Sequence, residues 1–357
     1  MIVESVLLNL FKMSPLLLSE FLAIYKATGY VFDNIQLYKE TRPIKINSVK
    51  KNDTNSIKAK EKDFILSHLE NEVISPQIEL FSSVMIDNFS SDNLSSFYNN
   101  ILNLKVNYQE YHEGNSICKI SGSYIVNENT INVTDISTEG VIYHELFHLA
   151  SSFVDGDNLH SGFSQNSKSG VIGVGINEGY TEVLTNRYFN VVDNNAYPFE
   201  RYAVSKLEQV VGKELMESLY LNADLYGLIN ELGQYMKFED IMKFIANMDF
   251  LTKHLSVDKK KRIENKIIKK SLKEVNSFLL DVCSNKLLLL LNEGLISINQ
   301  LKDCLLYYVN SIVIYERFSD RGYDIFSVED INAYFDRVIQ KAELISIKEE
   351  GYKIKKK

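Results

Sequence analysis

The sequence predicts an α+β fold that is mainly α, with a small β-hairpin or sheet ahead of one central helix and a helical bundle after it. Three observations carry this. Apolar residues recur at helical spacing along most of the chain. Alternating, β-prone sequence is concentrated in residues 117–134. From Lys213 onward almost every stretch has helical periodicity.

In chain order, residues 1–62 read as an apolar helical segment followed by a Lys-rich linker. Glu4, Lys12, Pro15 and Glu20 break the apolar run well short of the ~20 residues a bilayer span needs, so neither a signal peptide nor a membrane anchor is expected. NSVKKNDTNSIKAKEK, residues 47–62, nearly lacks large apolar groups and reads as a linker or mobile loop. Residues 63–103 are mainly helical, with Leu66, Leu69 and Val73, then Leu94, Phe97, Tyr98 and Ile101, at helical spacing. ICKISGSYIVNENTINVT, residues 117–134, has β-prone runs on either side of Asn127-Glu128-Asn129 and predicts a hairpin.

The hairpin feeds into GVIYHELFHLASS, residues 140–152. Ile142, Leu146, Leu149 and Phe153 form the buried stripe of a helix there, and Ser137 and Thr138 are ready N-caps. Gly and Ser then dominate residues 155–175, a predicted loop. A helix restarts at Asn177, and another opens at Pro198 with Ala203, Leu207, Val210 and Val211 as its stripe and Gly212 as its stop. Farther on, Leu287 to Leu291 is core, and Ser327 with Asp330 caps a late helix. The expected boundaries are 1–62, 63–250 and 251–357.

Length and composition bound the function. The 357 residues, 45% of them hydrophobic, suffice for two or three domains with a sizeable core. A net charge of −8 argues against a nucleic-acid surface. Cys118, Cys283 and Cys304 are widely spaced and odd in number, which suits a reducing compartment; cytoplasmic residence is the expectation, with no nucleic-acid or membrane partner.

The chemistry sits in residues 140–152. His144 and His148 are four apart, which stacks both imidazoles on one helix face, and Glu145 completes an HExxH pattern. In that pattern two histidines bind zinc while the glutamate deprotonates a metal-activated water. An amphipathic helix with two half-exposed histidines is the plain alternative. Catalytic zinc uses three protein ligands and keeps one position for water. Ser151 and Val154 stand where HExxHxxGxxH needs Gly and His, so that pattern is absent. His160 and Asp157 are nearby but have no recognisable motif around them. Glu178 lies in the first turn of the next predicted helix, with Glu182 four positions later on the same face.

HExxH followed by NExxxE, Asn177 to Glu182, resembles the gluzincin metallopeptidases, the superfamily of thermolysin and its relatives. The resemblance covers roughly residues 117–190. It implies a zincin-like catalytic domain within 63–250, one Zn2+ per chain held by His144, His148 and Glu178, and Glu145 as general base in peptide hydrolysis. It also implies that Glu182 orients a ligand histidine from behind. The family usually has Asp at that place, so Glu182 is a departure. The chain lacks a GxMEN-type sequence, which points away from the aminopeptidase branch. The oxyanion donor in such enzymes is a His or Tyr of the following region, for which His254, Tyr188, Tyr197, Tyr202, Tyr220 and Tyr226 qualify. Tyr197 is preferred because it precedes Pro198 at a bend between helices, and Tyr202 is second.

Residues 123–126 could pair with a peptide substrate as an added strand, although pairing within their own hairpin explains them equally well. The glycine-bearing stretch 162–175 could move over the cleft. The expected partner is a peptide or protein substrate. A catalytically silent zincin-fold binding or regulatory protein is the alternative from another class, and a metal-free helical interaction protein is the third.

Overall fold

The computed structural model describes Asp63, Ile65 and residues 74–109, 122–134, 137–167, 170–191, 196–255, 262–318 and 326–355. The N-terminal helical segment, the Lys-rich linker, the stripe of Leu66, Leu69 and Val73, and Cys118 lie outside these residues. The first elements are α1 (Ser75–Asn88), a 3-10 turn (Ser91–Asn93) and α2 (Ser95–Ile101). Leu94, Phe97 and Ile101 of the predicted stripe are buried.

β1 (Lys105–Gln109), β2 (Gly122–Ile125) and β3 (Thr130–Thr134) form a sheet of order β1-β3-β2. β2 and β3 are the predicted hairpin, antiparallel with Tyr124 opposite Ile131. Asn129 in their connection takes left-handed φ, a conformation Asn tolerates. β1 joins parallel to β3 and extends the hairpin. Its signal is a short alternation, Val106 and Tyr108 between polar residues. Ile131 and Val133 point into the core.

The central helix α3 (Glu139–Ala150) is buried along almost its whole length, which is why its ionisable residues are buried too. Thr138 occupies the N-cap position but its hydroxyl makes no capping bond, and Ser137 Oγ instead accepts from Thr134 N–H. The helix ends at Ala150, so Phe153 is not part of its stripe: it lies in the following strand and is 39% exposed. Ser151 and Ser152 cause the stop. Their hydroxyls donate back to the carbonyls of Phe147 (2.9 Å) and His148 (2.5 Å), while Asn100 Nδ2 holds the carbonyls of Leu149 and Ser152.

The predicted loop 155–175 is largely a four-stranded antiparallel meander: β4 (Ser152–Asp155), β5 (Asn158–Ser161), β6 (Ser164–Ser167) and β7 (Gly170–Ile172). Gly156 and Gly162 take positive φ in its turns. Register places Val154, Leu159, Asn166 and Val171 in one cross-strand row. Strands this short, rich in Ser and Asn, offer little alternation to read.

α4 (Val174–Phe189) starts before the expected Asn177 and is again buried on most sides. α5 (Pro198–Val211) buries Ala203, Leu207, Val210 and Val211 and stops at Gly212 as the sequence predicts. α6 (Lys213–Leu221), α7 (Leu225–Leu232), α8 (Phe238–Leu255), α9 (Arg262–Asn292), α10 (Ile298–Phe318) and α11 (Val328–Lys355) complete the described chain. α8 runs through residue 250 and packs on both α4 and α9. Leu287, Leu290 and Leu291 are core, and Ser327 and Asp330 exchange side chain-to-backbone bonds in a reciprocal cap. Among the described residues the architecture is mainly helical with two small sheets, and no helix is long and apolar enough to cross a membrane.

Candidate metal centre

α3 and α4 pack face to face, and their contact brings together residues far apart in sequence. Tyr143 stacks on Phe189 at 3.9 Å between ring centroids, and Phe147 meets Phe81 of α1 edge-on at 4.9 Å. These apolar contacts fix the rotation of α3, so that His144, Glu145 and His148 turn toward α4 and β2. All three are buried, at 6%, 8% and 8% exposure. Burying ionisable groups costs several kcal/mol unless they are paired, so their partners define the site.

His144 Nε2 lies 2.9 Å from His148 Nε2 and 3.1 Å from Glu178 Oε2, and Glu178 Oε1 is 3.6 Å from His148 Nε2. One ligand atom from each of His144, His148 and Glu178 lies within 4.8 Å of the others, the one such group among the described residues. Behind it, His144 Nδ1 donates to Glu182 Oε1 at 2.8 Å. Glu182 is fully buried, and its carboxylate fixes the tautomer that leaves Nε2 free to act as a donor atom. The longer side chain of Glu182 therefore reaches the histidine directly.

The electrostatics favour a cation. Two imidazole nitrogens 2.9 Å apart need a shared proton or a positive ion between them. Burial alone would depress the pKa of His144, but its hydrogen bonds with Glu178 and Glu182, and the charges of Glu178 and Glu145, hold it well above the ordinary histidine value. Burial would raise Glu178. The charge of His148, the hydrogen bonds from both histidines and the charge of His144 outweigh it and hold the carboxyl well below the usual range. Three carboxylates thus surround two imidazoles, and a divalent ion with two nitrogen ligands and one oxygen ligand fits that set.

Glu145 points the other way, toward β2. Its carboxylate accepts the backbone N–H of Tyr124, and burial raises its pKa while the two histidines pull it down. β2 can lie this close because residue 122 is glycine: a Cβ there would come within 2.5 Å of Val141 Cγ1 and 3.4 Å of Glu145 Cγ. Among the described strands β2 pairs only with β3.

Tyr197, at the N-cap of α5, has left-handed φ of 50°. Its ring lies over His144 with centroids 6.0 Å apart, and its hydroxyl donates to Glu178. The charge of Glu178, then burial, keep the phenol protonated far above its ordinary range. The other candidates have other partners or positions, although Tyr220 feels the charges of Glu178 and Glu145. Tyr202 is in the core, Tyr188 donates to Glu217, Tyr220 pairs with Thr181, Tyr226 is exposed, and His254 bonds the Phe250 carbonyl. His160 stacks on Phe153 in the meander, and Asp157 is exposed in a turn; neither joins the cluster.

The sequence reading missed Asn177 as a site residue. Its amide nitrogen is 3.4 Å from His148 Nδ1, and its Oδ1 accepts Phe163 N–H, so it ties the ring to the turn between β5 and β6. The signal available was a polar residue beside Glu178 in an otherwise buried helix. No family model matches this chain, and no curated protein or solved structure matches it either.

Proposed function

We propose that this protein is a zinc-dependent peptidase with a zincin-like catalytic domain, similar to the gluzincins. The observation that carries this is the convergence of His144, His148 and Glu178 with Glu145 beside them, hydrogen-bonded to β2 at Tyr124. A metal-binding scaffold needs the first three residues. It has no need of a buried carboxylate that lies next to the donor set without belonging to it. Bound to His144, His148 and Glu178, zinc supplies Lewis acidity toward a carbonyl and toward water.

The remaining work falls to the protein. Glu182 and Asn177 hold the two histidine rings in place. A peptide in extended form lies along the edge of β2 away from β3, which sets the scissile bond beside Glu145. A Glu145 oxygen accepts the proton of the attacking water and returns it to the leaving amine nitrogen. A pKa raised by burial suits a group that must take and then give up a proton near neutral pH. The Tyr197 hydroxyl, a protonated donor at the same place, turns from Glu178 to the oxyanion as it forms.

Glu145→Gln tests this reading. It keeps size and hydrogen bonding but cannot accept the proton. Zinc content and thermal stability should stay near wild type, while cleavage of a fluorogenic peptide library falls by ~10²–10⁴-fold. Undiminished cleavage by the variant would place the base elsewhere. Zinc-loaded wild type that cleaves nothing across a broad library would favour a zincin-fold binding protein instead.

A further inference from the structure

The helix that carries Glu178 begins with a glycine-rich turn, Gly173-Val174-Gly175, which has poor intrinsic helix propensity. Its first amides lack intrahelical partners, as in every helix, and no side chain of the turn caps them. A residue more than seventy positions downstream does. Asp249, on α8, accepts Gly173 N–H on Oδ2 at 2.8 Å and Gly175 N–H on Oδ1 at 2.9 Å, with Val174 N–H as a third donor. A carboxylate spread over three amides at the positive end of a helix is a strong, directional contact.

The two helices touch at the same place. A Cβ at position 175 would lie 2.6 Å from the backbone of Met248 and 2.8 Å from Thr252 Oγ1, so only glycine lets α4 approach α8 this closely. Thr252 then donates to the buried Glu200 of α5 at 2.9 Å. The clamped turn is one turn away from the metal centre: Asn177 N–H donates to the Gly173 carbonyl at 3.0 Å, and Glu178 follows directly. The clamp adds directional hydrogen bonds to this close packing, and a shift of about 1 Å at a site changes its function.

We infer that Asp249 is a positioning residue for the metal centre, holding the first turn of α4 against α8 so that Asn177 and Glu178 meet His148 and His144. It contacts no ligand atom and acts through the helix backbone. The inference rests on the metal-binding reading above. α8, which carries Asp249, also packs on α9.

The test uses the full chain as wild type, Asp249→Ala, Asp249→Asn and Leu251→Ala. Leu251 is fully buried on the same helix, and its truncation loosens packing without touching the clamp. Each is measured for zinc affinity by chelator competition, for the visible absorption of the cobalt(II)-substituted protein, and for stability of the metal-free form. Asp249→Ala should weaken zinc about tenfold and change the intensity of the cobalt bands. Asp249→Asn, with one acceptor oxygen, should fall between, and it serves if the alanine variant does not fold. Leu251→Ala should lose stability while keeping both metal readouts. If the Asp249 variants lose stability but keep wild-type zinc affinity and cobalt spectrum, Asp249 is an ordinary helix cap and the inference is overturned. Wild type that takes up neither metal overturns the metal-binding reading itself, and this inference with it.

Discussion

Helix α4 carries two ionic clusters, and they are built on opposite plans. Toward its C-terminal end, Arg187 donates to Glu208 at 2.9 and 2.5 Å and to Glu217 at 2.7 Å. Tyr180 and Tyr188 hydroxyls add bonds to the same carboxylates, and Lys213 stands 3.9 Å from Glu217. Two cations face two anions, and nothing further is required. In the other cluster, Glu178 and Glu182 meet His144, His148 and Glu145, where acids outnumber bases and two ring nitrogens face each other. The first cluster fastens α4 to α5 and α6. The second, with its acids in excess, could hold a metal ion on His144, His148 and Glu178. Charge count and donor geometry, rather than burial, separate a structural ion pair from a site.

The largest effect separating the two should come from Arg187→Met. Removing the shared cation leaves Glu208 and Glu217 in a partly desolvated place, which should destabilise the fold by about 3 kcal/mol in denaturant unfolding. Zinc content, normalised to folded protein, should stay at wild-type level. Loss of zinc from the folded variant would show that the two clusters are one unit.

A smaller effect should appear with pH, and only in the cluster around His144. The pKa of His144 is raised in the metal-free fold, so its charged form stabilises the protein below about 6.5, its unfolded value, and that contribution is lost as pH climbs through the higher folded value. Metal-free protein should therefore lose stability on the alkaline side of neutrality, where zinc-loaded protein should not. Zinc must also displace the His144 proton, so apparent affinity should rise by about tenfold per pH unit below the folded pKa. A flat affinity profile from pH 6 to pH 8, measured by competition titration, would mean that His144 is already neutral.

The comparison also explains what the sequence could reveal. His144 and His148 are legible because helical spacing alone puts them together, and Glu178 because it opens the next helical run. Tyr197 is legible through Pro198, which marks the bend. Contacts that depend on the path of the chain are not. Asp249 meets Gly175 across 74 positions, and no local pattern in either segment announces the other. The start of α4 at Val174 follows from that contact, so propensity alone places it too late. The meander from Ser152 to Ile172 escapes for a different reason: three- and four-residue strands are too short to show an apolar alternation that reads as sheet. Phe153 fits the helical stripe by spacing and leaves it because the serine hydroxyls end the helix first.

The most direct test of the account is the metal content of protein purified without added metal, then equilibrated with zinc and desalted, for wild type and Glu178→Ala. One zinc per chain in the wild type, with sharply weakened retention in the variant, is the predicted result, because three ligands become two. Wild type that retains no zinc would contradict the account. So would Glu178→Ala holding zinc stoichiometrically while His160→Ala or Asp157→Ala loses it.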